Sequence, residues 1–281
     1  MKILVTGARG QLGYDICREL DRRGVKYLGT NSENMDITNQ AIVHRQIKDY
    51  RPDAVIHCAA HTAVDRAEDE PERAFAVNEL GTRYIAEVCK EIDAKLLYIS
   101  TDYVFPGTGT KPYETFDATG PLNVYGRSKL AGEQAVREAL EKYFIVRISW
   151  VFGGHGKNFV ETMLRLSETK NSVQVVCDQI GSPTYTVDLA RLLCDMVQGE
   201  RYGIYHATNE GECSWAEFAE AIFKAAGKTV EVEKIPTASY TAAKAERPLN
   251  SRLSKQSLVD AGFEKLPCWQ EALSQYLSRK R

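Results

Sequence analysis

Apolar positions in the first half of the chain follow two alternating rhythms. Short β-rich runs at Ile3 to Thr6, Val25 to Gly29, Ala54 to Ala60, Leu96 to Ser100 and Phe144 to Ile148 read as strands. Helical spacing fills the gaps between them. Leu12, Ile16 and Leu20 share one face of the segment Gln11 to Arg23, with Gly24 as its stop. Thr38 reads as the cap of a helix carrying Ile42, Val43 and Ile47, which Arg51-Pro52-Asp53 breaks. Further helices are expected around Phe75 to Cys89 and from about Asn123 to Leu140. Strand and helix in strict alternation predict an α/β fold, a doubly wound, Rossmann-like parallel sheet covered on both faces.

The second half is less regular. Helices are expected near Asn158 to Thr169 and Thr186 to Met196, with strands at Val173 to Val176 and Ile204 to Ala207. Ser214 and Glu217 form a capping box, and Val230 to Ile235 and a final helix through Leu273 and Leu277 complete the chain. The change of texture predicts a dinucleotide-binding domain over 1–152 and a smaller α/β substrate lobe over 153–281, with segments near 180–207 free to pack back on the sheet.

Composition narrows the function classes. The 281 residues carry a net charge of -2 from well-mixed acids and bases, which gives no electrostatic footprint for nucleic acid. The terminal Arg279-Lys280-Arg281 reads as a solvated tail. Seven scattered cysteines without a Cys-x-x-Cys pair point to reduced, mostly buried thiols in a cytoplasmic protein. The five histidines form no zinc-ligand pattern, so no metal is expected. No apolar run approaches the ~18 residues of a membrane span, and the N-terminus enters a strand at once, so no membrane partner is expected and the chain should start at or next to Met1.

Gly7, Gly10 and Gly13 stand between the first strand and first helix with Gln11 and Leu12, in a Gly-x-x-Gly-x-x-Gly turn. Each glycine answers a separate need: a tight turn, backbone approach to a pyrophosphate, and close helix packing. The helix N-terminus then offers free N–H groups to phosphate. Strand two ends in Thr30-Asn31 with no carboxylate, so NADH and NADPH both remain open as cofactor. Arg22 and Lys26 are nearby bases that read as solvated, and Asp36 and Ile37 can reach the adenine.

Tyr125 and Lys129 lie four apart in the helix after strand four, hence on one face. An ammonium beside a phenol lowers its pKa and suits it to proton transfer while a nicotinamide carries hydride. Two other pairs share the spacing, Tyr240/Lys244 and Tyr276/Lys280, but only the first follows a strand whose carboxyl end faces the ligand crevice. Thr101 closes that strand and can steady a developing alkoxide. Ala60, His61 and Thr62 end strand three as candidate cofactor walls, although His61 reads equally as a satisfied strand-end polar group. Asp102, Tyr103 and Trp150 crowd the same edge, where the aromatics can stack on a base or sugar or pack in the core. Arg247, in a loop of the second lobe, suits a diphosphate or is an ordinary surface arginine.

Taken together, the strings from Val5 to Gly13 (VTGARGQLG), Ala59 to Asp65 (AAHTAVD), Ser100 to Gly107 (STDYVFPG), Pro121 to Gly126 (PLNVYG) and Arg147 to Gly153 (RISWVFG) resemble the extended short-chain dehydrogenase/reductase family. Gly181 to Thr184 and Arg247-Pro248 continue the match more thinly. The resemblance implies reduction of the C4 ketone of dTDP-4-dehydro-6-deoxy-L-mannose to dTDP-L-rhamnose, a precursor of cell-surface polysaccharide. It further implies Tyr125 as proton donor, Lys129 on the nicotinamide ribose, and Thr101 at the carbonyl oxygen. Asp102, Tyr103 and Trp150 would surround the sugar, and Gly10 to Leu12, Asp36-Ile37 and Ala60 to Thr62 would line the cofactor. A homodimer is compatible with it. Some relatives hold a metal at a subunit contact, but the C-terminal helix lacks a matching acidic cluster.

Two other functions share these features. A nucleotide-sugar epimerase or dehydratase would keep its NAD tightly bound through oxidation and re-reduction. A regulatory subunit on the same fold would need no chemistry, and intact Thr101, Tyr125 and Lys129 speak against it.

Overall fold

The structure is a computed structural model and describes residues 1–280; Arg281 of the basic tail lies outside them. Five strands open the chain: β1 (Lys2–Thr6), β2 (Lys26–Thr30), β3 (Ala54–His57), β4 (Lys95–Thr101) and β5 (Tyr143–Ile148). With the edge strand Gly203–His206 they form one six-stranded, wholly parallel sheet. Its order runs from Gly203–His206 through β5, β4, β3 and β1 to β2. The chain moves outward from β1 to β2 and then crosses to β3 on the other side of β1. A crevice therefore opens at the carboxyl ends of β1 and β3, where ligands of open α/β sheets bind.

Period-two alternation buries both faces of these strands. Ile3, Val5, Ile56, Leu97, Phe144 and Val146 meet Leu12, Ile16 and Leu20 of α1 (Gln11–Arg22) and a layer from the second half. Leu4, Val55, Leu96, Tyr98 and Ile145 face the opposite layer. There α2 (Gln40–Tyr50) contributes Val43 and Ile47, and Ile85, Val88 and Val136 complete the packing. Each such side chain contributes roughly 1.5–3 kcal/mol on burial.

Asn39, not Thr38, caps α2: its side chain accepts from the Ile42 N–H at 3.1 Å, whereas Thr38 donates to Asp36 Oδ1. An Asx turn at Asp36 has claimed Thr38 and moved the helix start on by one residue. The helix expected around Phe75 to Cys89 is a broken series, α3 (Val64–Asp69), α4 (Pro71–Phe75), a π-helical turn (Ala76–Leu80) and α5 (Gly81–Glu91). Pro71 starts α4 because it cannot continue α3. α6 (Val124–Ala139) follows β4, with Asn123 accepting from the Gly126 N–H as its cap.

The later helices are α7 (Phe159–Leu166), α8 (Thr186–Met196), α9 (Trp215–Ala225), α10 (Gln256–Asp260) and α11 (Trp269–Ser278). The α9 capping box is complete, with both reciprocal bonds made. α8 packs against α1 and supplies Leu189, Leu192 and Leu193 to the sheet core. A second core gathers Phe152, Val160, Phe218, Trp269, Leu273 and Tyr276. Ser172–Val176 pairs in parallel with Glu231–Ile235 there. All seven cysteines are free, but only Cys89, Cys194 and Cys213 are buried, fewer than the composition suggests. No described helix is long and apolar enough to cross a membrane.

Candidate active site

The glycine turn is built by collision avoidance. Gly7 sits at φ +66, and a Cβ there would lie 2.8 Å from the Ala59 nitrogen. A Cβ on Gly13 would come within 2.2 Å of the Gly7 carbonyl oxygen, so the first turn of α1 can pack only on bare backbone. Gly10 differs, since its Cβ would meet only the Gly7 oxygen, at 3.2 Å. It is the N-cap of α1, no side chain caps that end, and no acid occupies the first turn. Free N–H groups and the positive end of the helix dipole therefore face the crevice, an arrangement that fits a dinucleotide pyrophosphate.

The crevice has a volume of about 880 Å³. Its lining contains Gly7, Gly10, Gln11, Leu12, Gly13, Asp36, Ile37, Ala60, His61 and Thr62 together with Thr101, Asp102, Tyr103, Tyr125, Lys129 and Trp150. Arg247 is not part of that lining. It pairs with Asp65 at 2.7 Å, and its Nη1 is buried without a partner. Asp65 also accepts from the N–H groups of Lys244 and Ala245, so it clasps this loop to α3. The rival Tyr-Lys pairs are elsewhere. Tyr276 is buried and donates to Glu161, which also pairs with Lys280. Tyr240 is exposed, and Lys244 pairs with Asp69.

Thr101 ends β4 and Tyr125 begins α6. Thr101 Oγ1 accepts from the Tyr103 N–H at 3.2 Å and is 3.0 Å from Asp102 Oδ1. Burial pushes the Tyr125 phenol well above its ordinary value, opposed by the Thr101 hydroxyl, which favours the phenolate, and reinforced by Asp102. The lowering expected from Lys129 is not found. Its Nζ donates to the Ile99 carbonyl at 2.7 Å and lies 4.0 Å from the centre of the Tyr98 ring, turned into the protein. Burial draws the Lys129 ammonium down to about 7, against Glu133 and Cys58, which favour its charge. Burial also holds Asp102 up, at about 6.

A second layer fixes these groups. Glu133, one turn beyond Lys129, forms a bidentate pair with Arg147 of β5 at 2.9 and 2.7 Å and accepts from Ser100 at 2.5 Å. Both partners of the pair are almost wholly buried. This ties α6 to the end of β4, on which Thr101 stands, and to the end of β5. His57 at the end of β3 is neutral, drawn down to about 3 by burial, and bonds Thr6 and Thr82.

One contributor carries no recognisable sequence signal, and three others have contacts that the sequence does not give. Asn78, in the π-helical turn, accepts from the His61 N–H at 2.8 Å and donates to the His61 carbonyl and the Ser128 hydroxyl. It pins the β3 loop to α6, a use that often accompanies π turns at functional sites. Trp150, at φ +50, stacks on Trp215 with ring centres 3.7 Å apart, so one of its faces is occupied by protein. Gln11 bonds the Lys157 carbonyl and Asn158, drawing the loop after Gly153 over the start of α1. At the end of β2, Arg9 pairs with Glu33 beside Asn31 and Ser32. Gln11 and Arg9 lie inside the glycine turn and Trp150 stands among the sequence candidates, so for these three it is the partners, not the positions, that spacing leaves out.

The family model described as RmlD substrate binding domain matches residues 1–281. The spore coat polysaccharide biosynthesis protein SpsK of Bacillus subtilis is 43% identical over 279 residues, 99% of this chain and 98% of that protein. A dTDP-4-dehydrorhamnose reductase of Streptomyces griseus is 43% identical over 278 residues, covering 97% of this chain and 91% of its own. The crystal structure of dTDP-4-dehydrorhamnose reductase from Bacillus anthracis in complex with NADP superposes with a TM-score of 0.96 at 42% identity, covering 99% of both chains. With its sheet, glycine turn and threonine-tyrosine rim in place and a match along its whole length, the chain belongs to the RmlD substrate binding domain family.

Proposed function

We propose that this protein reduces the C4 keto group of dTDP-4-dehydro-6-deoxy-L-mannose to give dTDP-L-rhamnose, using NADH or NADPH, with Tyr125 as the proton donor. One observation carries the reading: Thr101 and Tyr125 face each other at the carboxyl end of the sheet, in the crevice that also holds the glycine turn. Relatives that carry the reductase name supply the substrate class.

The reduced nicotinamide, when bound, supplies hydride. Tyr125 gives its phenolic proton to the substrate oxygen, and Thr101 stabilises charge developing there. A phenol held neutral by burial is in the right state to donate. Lys129 also lines the crevice, and an ammonium N–H beyond the one given to Ile99 would hold the nicotinamide ribose. Gly10 and the start of α1 take the pyrophosphate, and Gln11, Leu12, Asp36, Ile37, Ala60, His61 and Thr62 line the rest. Tyr103 and Trp150 take the sugar. Thr30 and Asn31 themselves place no carboxylate at the end of β2, and Arg9 there is paired with Glu33, so NADH and NADPH are both kept in the reading.

The test is stoichiometry. Purified protein given a dTDP-linked 4-keto-6-deoxysugar should oxidise one reduced nicotinamide per sugar reduced. Turnover with no added cofactor and no net oxidation would replace this reading with the epimerase one.

A further inference from the structure

Asp102 occupies an unusual position for a carboxyl group in an active site. It is only 3% exposed, and its Oδ2 is buried without a hydrogen-bond partner. Among the described residues no cation pairs with it. From the elements packed around it, Tyr125 of α6 and Tyr103 on its own turn face it, and Ser251 approaches from the second lobe. Arg247 and Asp65 act on Tyr103 one layer further out, and Lys129 is turned away to Ile99. A carboxylate left unpaired in such a place is costly, and taking up a proton removes the cost.

The proton count at Thr101 turns this into a statement about catalysis. A threonine hydroxyl has one proton and two acceptor sites. One acceptor site is filled by the Tyr103 N–H, and the hydroxyl is placed as donor to Asp102 Oδ1 at 3.0 Å, the direction an ionised Asp102 requires. If Asp102 is ionised it can only accept, so Thr101 must give it the single proton and has none for the substrate. If Asp102 is neutral with its proton on Oδ1, it donates to Thr101, both acceptor sites are filled, and the threonine proton is free to point into the crevice.

We propose that Asp102, in its neutral form, is a positioning residue that aims the Thr101 proton at the substrate carbonyl and the Tyr125 oxygen. No bond to carbon changes in this step, and Asp102 keeps its proton throughout the cycle. The inference rests on the role given above to Thr101 and Tyr125. Asp102 thereby acts behind Thr101 rather than on the sugar itself. Its burial-raised value of about 6 places the resulting pH dependence inside the working range of an assay.

The test is the pH dependence of kcat at saturating reduced cofactor and dTDP-linked 4-keto sugar, in wild type, Asp102→Asn and Thr101→Val. Once Asp102 ionises in the loaded enzyme, wild-type kcat should fall about tenfold per pH unit. Asp102→Asn can present an amide N–H to Thr101 at every pH, so it should keep substantial turnover and lose that fall. Thr101→Val should lose roughly 10²–10³-fold at every pH. An Asp102→Asn profile with the wild-type fall, or an Asp102→Asn loss as deep as that of Thr101→Val, overturns the proposal. Thr101→Val turning over like wild type would instead remove the threonine role on which it stands. Infrared titration of the wild-type holoprotein gives a readout independent of rate and of the Asn variant. A protonated-carboxyl band that disappears as kcat falls is expected, and no such band contradicts the inference.

Discussion

The ammonium of Lys129 donates to the main-chain carbonyl of Ile99 at 2.7 Å. That bond joins α6, which carries Tyr125, to the carboxyl end of β4, which carries Thr101. Its cost is a buried cation, visible in the fall of the ammonium to about 7.

The direction of that fall gives a stability prediction. Between about 7 and the ordinary 10.5 the folded state binds fewer protons than the unfolded chain, so stability should rise with pH across this window. The Lys129 contribution should approach about 1.4 kcal/mol for each step of one in pH, read as the difference between wild type and Lys129→Met, because buried thiols such as Cys58 and Cys89, raised by burial, pull the total the other way above about 9. Chemical denaturation of Lys129→Met at a series of pH values should lack that rise. The same variant should raise the KM for cofactor, and an unchanged KM would count against the ribose contact.

Glu133 and Arg147 form a buried, bidentate pair that also takes the Ser100 hydroxyl. Removing one partner leaves the other charge unpaired in the interior. Glu133→Gln should therefore cost about 3–5 kcal/mol in denaturant unfolding. A loss under ~1 kcal/mol would show that the pair is not the tie between α6 and the two strand ends.

The three glycines of the phosphate turn should separate by phenotype. Gly13→Ala pushes a methyl to within 2.2 Å of the Gly7 oxygen and should impair folding itself. Gly10→Ala meets only one oxygen, at 3.2 Å, and should fold while weakening cofactor binding. Calorimetry with and without NADPH distinguishes the two, and equal damage to folding would refute the division of roles.

Much of this architecture was legible from spacing. The five strands and α1 followed from runs of β-branched residues and a single apolar stripe, because parallel strands buried on both faces have little freedom of composition. The glycine turn and Thr101, Tyr125 and Lys129 were legible through their place after a strand. What spacing missed depends on tertiary contacts. Asn39 took the cap of α2 because Asp36 holds Thr38, and Asn78 acts through a π turn that no periodicity announces. The expected lowering of the Tyr125 phenol failed because sequence shows which residues are neighbours on a helix but not which way a lysine turns or how deeply it lies. Trp150 and Arg247 already have protein partners, Trp215 and Asp65, set by packing between distant segments.

The most direct measurement pairs turnover with cofactor affinity in Tyr125→Phe. Loss of only the phenolic proton should lower kcat by at least ~10²-fold while leaving the dissociation constant for NADPH within about twofold of wild type. Turnover at the wild-type rate would contradict the assignment of Tyr125 as proton donor.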